Sequence, residues 1–229
     1  MQQSRRVENS YVRFGRPRNA TSPHTFWLID LDVHDMFHVM KAYESSDGAR
    51  LFLAVIPDAE TAVRIHKLAA VLKRAHQFKG KLIEPARLHV SLFFLGGLPE
   101  QDIRAACTAA ADVRIAPFEV LFDRTASFRG KRDGRPFVLV GDYGLQRLTS
   151  FRRMLGGAML RRGLRRVANA NFTPHVTLLY DARSVEEYPI EPISWTVKEV
   201  VLIRSLKGHD RLARWPLDPR AVASSPPSR

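Results

Sequence analysis

The chain has 229 residues, 45% of them hydrophobic and 26% charged. That balance excludes a wholly disordered protein and suits one large domain or two small ones. Cys107 is the only cysteine, which rules out a disulfide framework and a cysteine-rich zinc site.

Residues 1–49 stand apart from the rest of the chain. They mix Arg, Asn, Ser and His around one apolar patch, Phe26-Trp27-Leu28-Ile29, and show no clear period. They are expected to form a loosely ordered N-terminal extension. They lack the apolar core of a signal peptide, and no run of about 18 apolar residues occurs anywhere in the chain. A soluble, cytoplasmic protein in a reducing compartment is expected.

Order begins at residue 50. Leu51–Ile56 is a short apolar run halted by Pro57, the pattern of a buried strand. Ile65, Leu68, Ala69 and Leu72 fall on one helical face. Leu88–Leu95 reads as a second strand, closed by Gly96 and Gly97. Pro99 opens a further helix whose apolar face holds Ile103, Ala106, Cys107 and Ala110; Cys107 is therefore read as a small core residue. Phe118–Phe128 is β-rich. Phe137–Val140 is again a short strand, and Leu145, Leu148, Phe151, Leu155 and Met159 make a helical stripe. His175–Tyr180 is another strand, Val197–Leu206 another β-rich stretch, and residues 218–229 read as a disordered tail.

The order repeats, and the spacing repeats with it. Phe52 lies 37 residues before His89, and Phe137 lies 38 before His175. Two strand–helix–strand–strand units point to an α+β fold. Its two pseudo-symmetric lobes, each with an antiparallel-rich sheet, would face a central cleft. The duplicated domain is expected over 50–217, with lobes of roughly 50–130 and 131–217 between which the chain can cross.

Charge is uneven along this frame. The chain carries 36 basic and 23 acidic side chains, a formal +13. Between Tyr143 and Tyr180 there is no acid, yet Arg147, Arg152, Arg153, Arg161, Arg162, Arg165 and Arg166 all occur there. Helical spacing places these arginines opposite the apolar stripe, on the exposed side. Such a cluster favours a phosphate-rich partner over simple solvation.

Superposing the halves sets Arg87-Leu-His89-Val-Ser91-Leu over Thr173-Pro-His175-Val-Thr177-Leu. Phe94 and Tyr180 each stand five residues beyond their histidine. In a strand, residues i and i+2 share a face. His89 therefore lies with Ser91, and His175 with Thr177, while Val90, Leu92, Val176 and Leu178 enter the core. A core-facing histidine would share its face with the valine and leucine, and these do not. A twofold relation would bring both pairs to one cleft.

Such a cleft suits in-line displacement at phosphorus. One histidine would take the proton of the attacking oxygen while the other, on the opposite side, gives one to the leaving oxygen. The hydroxyls would hold the non-bridging oxygens. Neither motif offers a cysteine or acidic ligand at a matching position, so no metal and no cofactor is expected.

These duplicated His-x-[Ser/Thr]-x strands resemble the 2H phosphoesterase superfamily. Within it they are most similar to the bacterial RNA 2′,3′-cyclic phosphodiesterases, long called 2′-5′ RNA ligases. The likeness runs from about Arg50 to Leu217 and includes "RLFLAVIP", "LHVSLFFLG", "PHVTLLYD" and "RWPL". It implies two α+β lobes around a cleft, with His89 as proton donor, His175 as proton acceptor, and Ser91 and Thr177 on the phosphate.

Phe94 matches the family aromatic that stacks on a base, though it reads equally as a wall of the cleft. The chain departs from some relatives at Ser91, where Thr is commoner, and at Tyr180, where some carry arginine. Residues 1–49 are outside the family pattern. The implied reaction is metal-independent hydrolysis of RNA 2′,3′-cyclic phosphate ends to 2′-phosphomonoesters, with reverse 2′-5′ ligation open to it. Neither a membrane nor an obligate protein partner is implied. Two alternatives stay open: an esterase for a small cyclic nucleotide, and an RNA-binding module without catalysis.

Overall fold

The computed structural model describes residues 50–130, 134–168, 171–205 and 208–221. The extension expected over 1–49 lies outside these residues, as does the tail beyond residue 221. Asp218 closes a turn over 218–221, accepting the N–H groups of Arg220 and Ala221.

Strand β1 (Arg50–Val55) ends at Pro57, and Asp58 then starts helix α1 (Ala59–Ala75). The Asp58 carboxylate accepts the Thr61 N–H and hydroxyl, each at 2.8 Å, and the Thr61 N–H bond above all holds its pKa below the usual carboxylate value. Such a cap satisfies N–H groups that the first turn leaves open. Ile65 and Ala69 of the expected face are buried, with Leu68 and Leu72 packed at its margin.

After β2 (Val90–Phe94) comes α2 (Glu100–Asp112), whose Ile103, Ala106, Cys107 and Ala110 are buried as the pattern indicated. Burial pushes the Cys107 thiol up to about 12, so it stays protonated and inert. Then come β3 (Phe118–Ser127), β4 (Arg135–Val140), α3 (Gln146–Arg161) and a four-residue α4 (Arg165–Ala168). The chain closes with β5 (Val176–Asp181), β6 (Tyr188–Val197), β7 (Glu199–Ser205) and β8 (His209–Pro216).

These strands form two four-stranded antiparallel sheets, ordered β2-β1-β7-β8 and β5-β4-β3-β6. The sheets match in detail. β1 pairs with β2 through a bulge at Leu53/Ala54, and β4 pairs with β5 through a bulge at Phe137/Val138. Ala54 faces Ser91 in one sheet as Val138 faces Thr177 in the other. The β-rich segments exchange: β3 completes the second sheet, while β7 and β8 complete the first. The chain thus crosses between the sheets twice.

One face of each sheet packs into a shared core with the helices. The opposite faces carry small separate clusters, Phe52, Ala54, Val201 and Ile203 on one and Ala126, Val138 and Val140 on the other. A crossing segment ties the sheets together. Ile83 N–H donates to Leu178 O at 2.8 Å, and Leu82 bridges to Leu179. The buried Asp181 carboxylate accepts N–H groups from Lys79, Gly80 and Arg183. Burial alone would raise its pKa, but these three bonds hold it below the usual value.

The arginine-rich segment corrects the sequence reading at one point. Arg152 is not on the exposed side. It is half-buried, its guanidinium 4.4 Å from the Phe93 ring and 4.5 Å from the Phe172 ring, and its Nε–H donates to Leu92 O. Arg162 pairs with Asp112. Arg147, Arg153, Arg161, Arg165 and Arg166 are exposed. Among the described residues no helix is long and apolar enough to cross a membrane.

Candidate active site

Both histidines stand immediately before the edge strand of their sheet, β2 for His89 and β5 for His175. The alternation holds beyond them. Val90, Leu92, Val176 and Leu178 are buried, while Ser91 is exposed and Thr177 half-buried on the other face. A Pro85–Arg87 turn delivers the chain to His89.

A cleft of about 510 Å³ gathers His89, Ser91, Phe94, His175, Thr177 and Tyr180. All six residues named from the sequence therefore meet at one place. Phe94 and Tyr180 keep 60% and 52% of their surface exposed, enough for a planar ligand to lie against either. Gly96 makes room for the first ring, because a Cβ there would sit 2.5 Å from it.

The histidines are oriented alike. Nδ1–H of His89 donates to Arg87 O at 2.8 Å, and Nδ1–H of His175 donates to Thr173 O at 2.7 Å. A carbonyl can only accept, so the proton sits on Nδ1 in both neutral rings and Nε2 is left for chemistry. Nε2 of His89 lies 3.1 Å from the Ser91 hydroxyl. An aromatic ring backs each imidazole: Phe52 is stacked on His89 at 4.8 Å, and Phe128 stands edge-on to His175 at 5.0 Å. Burial lowers the His89 pKa; the Arg87 carbonyl opposes this, and positive charge on His175 and Arg87 adds to the lowering.

The cleft also holds residues that the sequence did not single out: Arg50, Phe52, Ile83, Arg87, Ser205 and His209. Among the described residues its arginine and lysine side chains are Arg50 and Arg87, and none of the residues 143–166 lines it. The basic cluster that the sequence reading tied to phosphate thus lies outside this cleft. His209 occurs once, with no counterpart in the first half, so the repeat could not mark it. Its ring lies 5.0 Å from His89 and 5.7 Å from Phe52. Burial pushes its pKa down to about 4, with His89 and Arg87 adding to the shift.

Comparison with known proteins extends the match. Residues 57–209 fit the family described as the 2′-5′ RNA ligase superfamily. An RNA 2′,3′-cyclic phosphodiesterase of Archaeoglobus fulgidus is 29% identical over 131 residues, covering 56% of this chain and 70% of the relative. One of Aquifex aeolicus is 24% identical over 135 residues, covering 56% and 72%. Among solved structures, E. coli LigT complexed with 3′-AMP is 26% identical with a TM-score of 0.57, covering 73% of this chain and 97% of LigT.

Proposed function

Because the chain belongs to the 2′-5′ RNA ligase superfamily, we propose that it hydrolyses RNA 2′,3′-cyclic phosphate ends to 2′-phosphomonoesters without a metal ion. The observation that carries this reading is the pair of like-oriented imidazoles, each with a hydroxyl two residues on, in one cleft. The names of the two phosphodiesterase relatives support the substrate class.

The steps follow from the chain's own groups. Nε2 of His175 takes a proton from water as its oxygen forms a bond to phosphorus. The bond from phosphorus to the 3′ oxygen breaks, and Nε2–H of His89 supplies that oxygen's proton. Ser91 and Thr177 donate to the non-bridging oxygens, where negative charge is held through the pentacoordinate transition state. The bonds to Arg87 O and Thr173 O fix both rings, so little reorganisation remains at the moment of reaction. With an RNA 5′-hydroxyl in place of water as the attacking group, the same steps would join a 2′-5′ linkage.

Identifying the product tests the reading. An oligonucleotide ending in a 2′,3′-cyclic phosphate should give the 2′-phosphate isomer alone by phosphorus NMR. A 3′-phosphate product would mean that the 2′ oxygen leaves and would reverse the assignment of the two sides.

A further inference from the structure

The cleft is larger than one cyclic phosphate needs, and its charge continues past His89. Across the first sheet, Arg50 on β1 is paired with Ser205 on β7, and Ser205 with His209 on β8. These three residues form one row on the cleft face, and all three line the cleft. Arg87 closes the row from the turn before β2. Its charge is close enough to lower the pKa of both His89 and His209.

Two buried polar atoms of this group, Nε of Arg87 and Nδ1 of His209, have no hydrogen-bond partner among the described residues. Unsatisfied buried polar atoms are rare in folded proteins and call for an explanation. Among the described residues no acidic side chain lines the cleft; Asp210, next in sequence to His209 and near enough for its charge to act on that ring, is held by Arg204 at 3.1 Å. An Arg87 donor without a partner, a His209 ring nitrogen without one, and the positive charge of Arg50 and Arg87 together suit an anion.

We propose that Arg50, Arg87, Ser205 and His209 form a second phosphate subsite, for the phosphodiester next to the terminal cyclic phosphate of RNA. The subsite rests on the reading that the His89–His175 cleft binds such ends. It would distinguish an RNA end from a cyclic mononucleotide, which has only one phosphate. The row extends from His89 along β1, β7 and β8, so the adjoining nucleotide runs over the first sheet. Phe52, which backs His89, lies in the floor between the two phosphates.

Calorimetry with a dinucleotide 2′-monophosphate and the matching mononucleotide 2′-monophosphate tests this without depending on turnover. The intact protein should bind the dinucleotide at least about tenfold more tightly, the scale of one charge-assisted hydrogen bond. Its affinity should also fall more steeply with salt, by about 0.7 in the log–log slope for one added phosphate contact. Arg50→Gln and His209→Gln should each cut that preference severalfold. His209 touches the His89 ring, so Arg50→Gln, at the exposed start of β1, is the cleaner variant.

Equal affinity of the intact protein for both ligands would overturn the subsite, as would a preference unchanged in Arg50→Gln. The two readings fail separately. A dinucleotide preference lost in Arg50→Gln, with no hydrolysis of cyclic ends, would sink the catalytic reading and leave the subsite standing.

Discussion

His89 and His175 make the same backbone contact from different sheets: each donates Nδ1–H to the carbonyl two residues before it, Arg87 O at 2.8 Å and Thr173 O at 2.7 Å. Two edge strands thereby present Nε2 of both rings to one cleft. Neither ring relies on a carboxylate to orient it, so their tautomers follow from the backbone path alone.

If each histidine performs a different proton transfer, removing either should cost most of the rate. His89→Ala and His175→Ala are each expected to lower kcat by about 10²–10⁴-fold. Affinity for the RNA product should change little. The double variant should fall little further than the worse single one, since groups acting as a unit are not additive. Single-turnover kinetics beside equilibrium binding would check this.

The pH profile follows from the environment of His89. Burial holds its pKa below the ordinary imidazole value, and as the acid it must carry a proton. The alkaline limb of kcat/KM, which reports the free enzyme, should therefore have its midpoint below about 6.5. A bound phosphate favours the imidazolium, so the limb in kcat should lie at higher pH than the limb in kcat/KM. Coincident limbs near 6.5 would contradict the assignment of His89 as the acid.

Gly80 is where the crossing segment meets β5. A Cβ there would lie 1.8 Å from the Tyr180 carbonyl oxygen, and neither backbone can yield without breaking the Asp181 bonds to Lys79 and Gly80. Gly80→Ala should destabilise the protein by about 1–3 kcal/mol, the usual cost of overpacking, read as a shifted urea midpoint. The Asp181 carboxyl adds a pH signature. Its folded pKa is depressed, so its contribution is present above the unfolded value of about 3.9 and fades as pH falls through the lower folded value.

Phe94 is exposed at the cleft, and stacking on a base is worth about 1–3 kcal/mol. Phe94→Leu should raise KM for RNA ends severalfold and lower kcat much less. Gly96→Ala should have a similar but smaller effect by pushing the ring aside. Steady-state kinetics on the two variants would show it.

Much of the site was legible because the repeat wrote it twice. His-Val-Ser-Leu and His-Val-Thr-Leu carry the strand period and the cleft face in the same four residues, and the histidines need only local backbone to orient them. The Arg50–Ser205–His209 row was not legible, because it comes from three strands whose register depends on long-range pairing. Strand β6 was missed for a local reason. Pro189 and Pro192 interrupt the alternation of Ile193, Trp195 and Val197, and proline is tolerated there because β6 is an edge strand. Strand β8 buries little beyond Ala213, so its polar sequence carries a weak period. The arginines misled because the sequence shows charge density but not which face of the molecule receives it. Arg152 serves the packing of Phe93 and Phe172, and the cleft takes its charge from Arg50 and Arg87.

Turnover of an RNA ending in a 2′,3′-cyclic phosphate, measured after exhaustive chelation with EDTA, tests the central claim most directly. Two histidines and two hydroxyls supply every proton transfer and phosphate contact in the proposed reaction, so the rate should be unchanged by the chelator and abolished in His89→Ala. Activity lost with EDTA and restored by zinc or manganese would contradict the two-histidine mechanism.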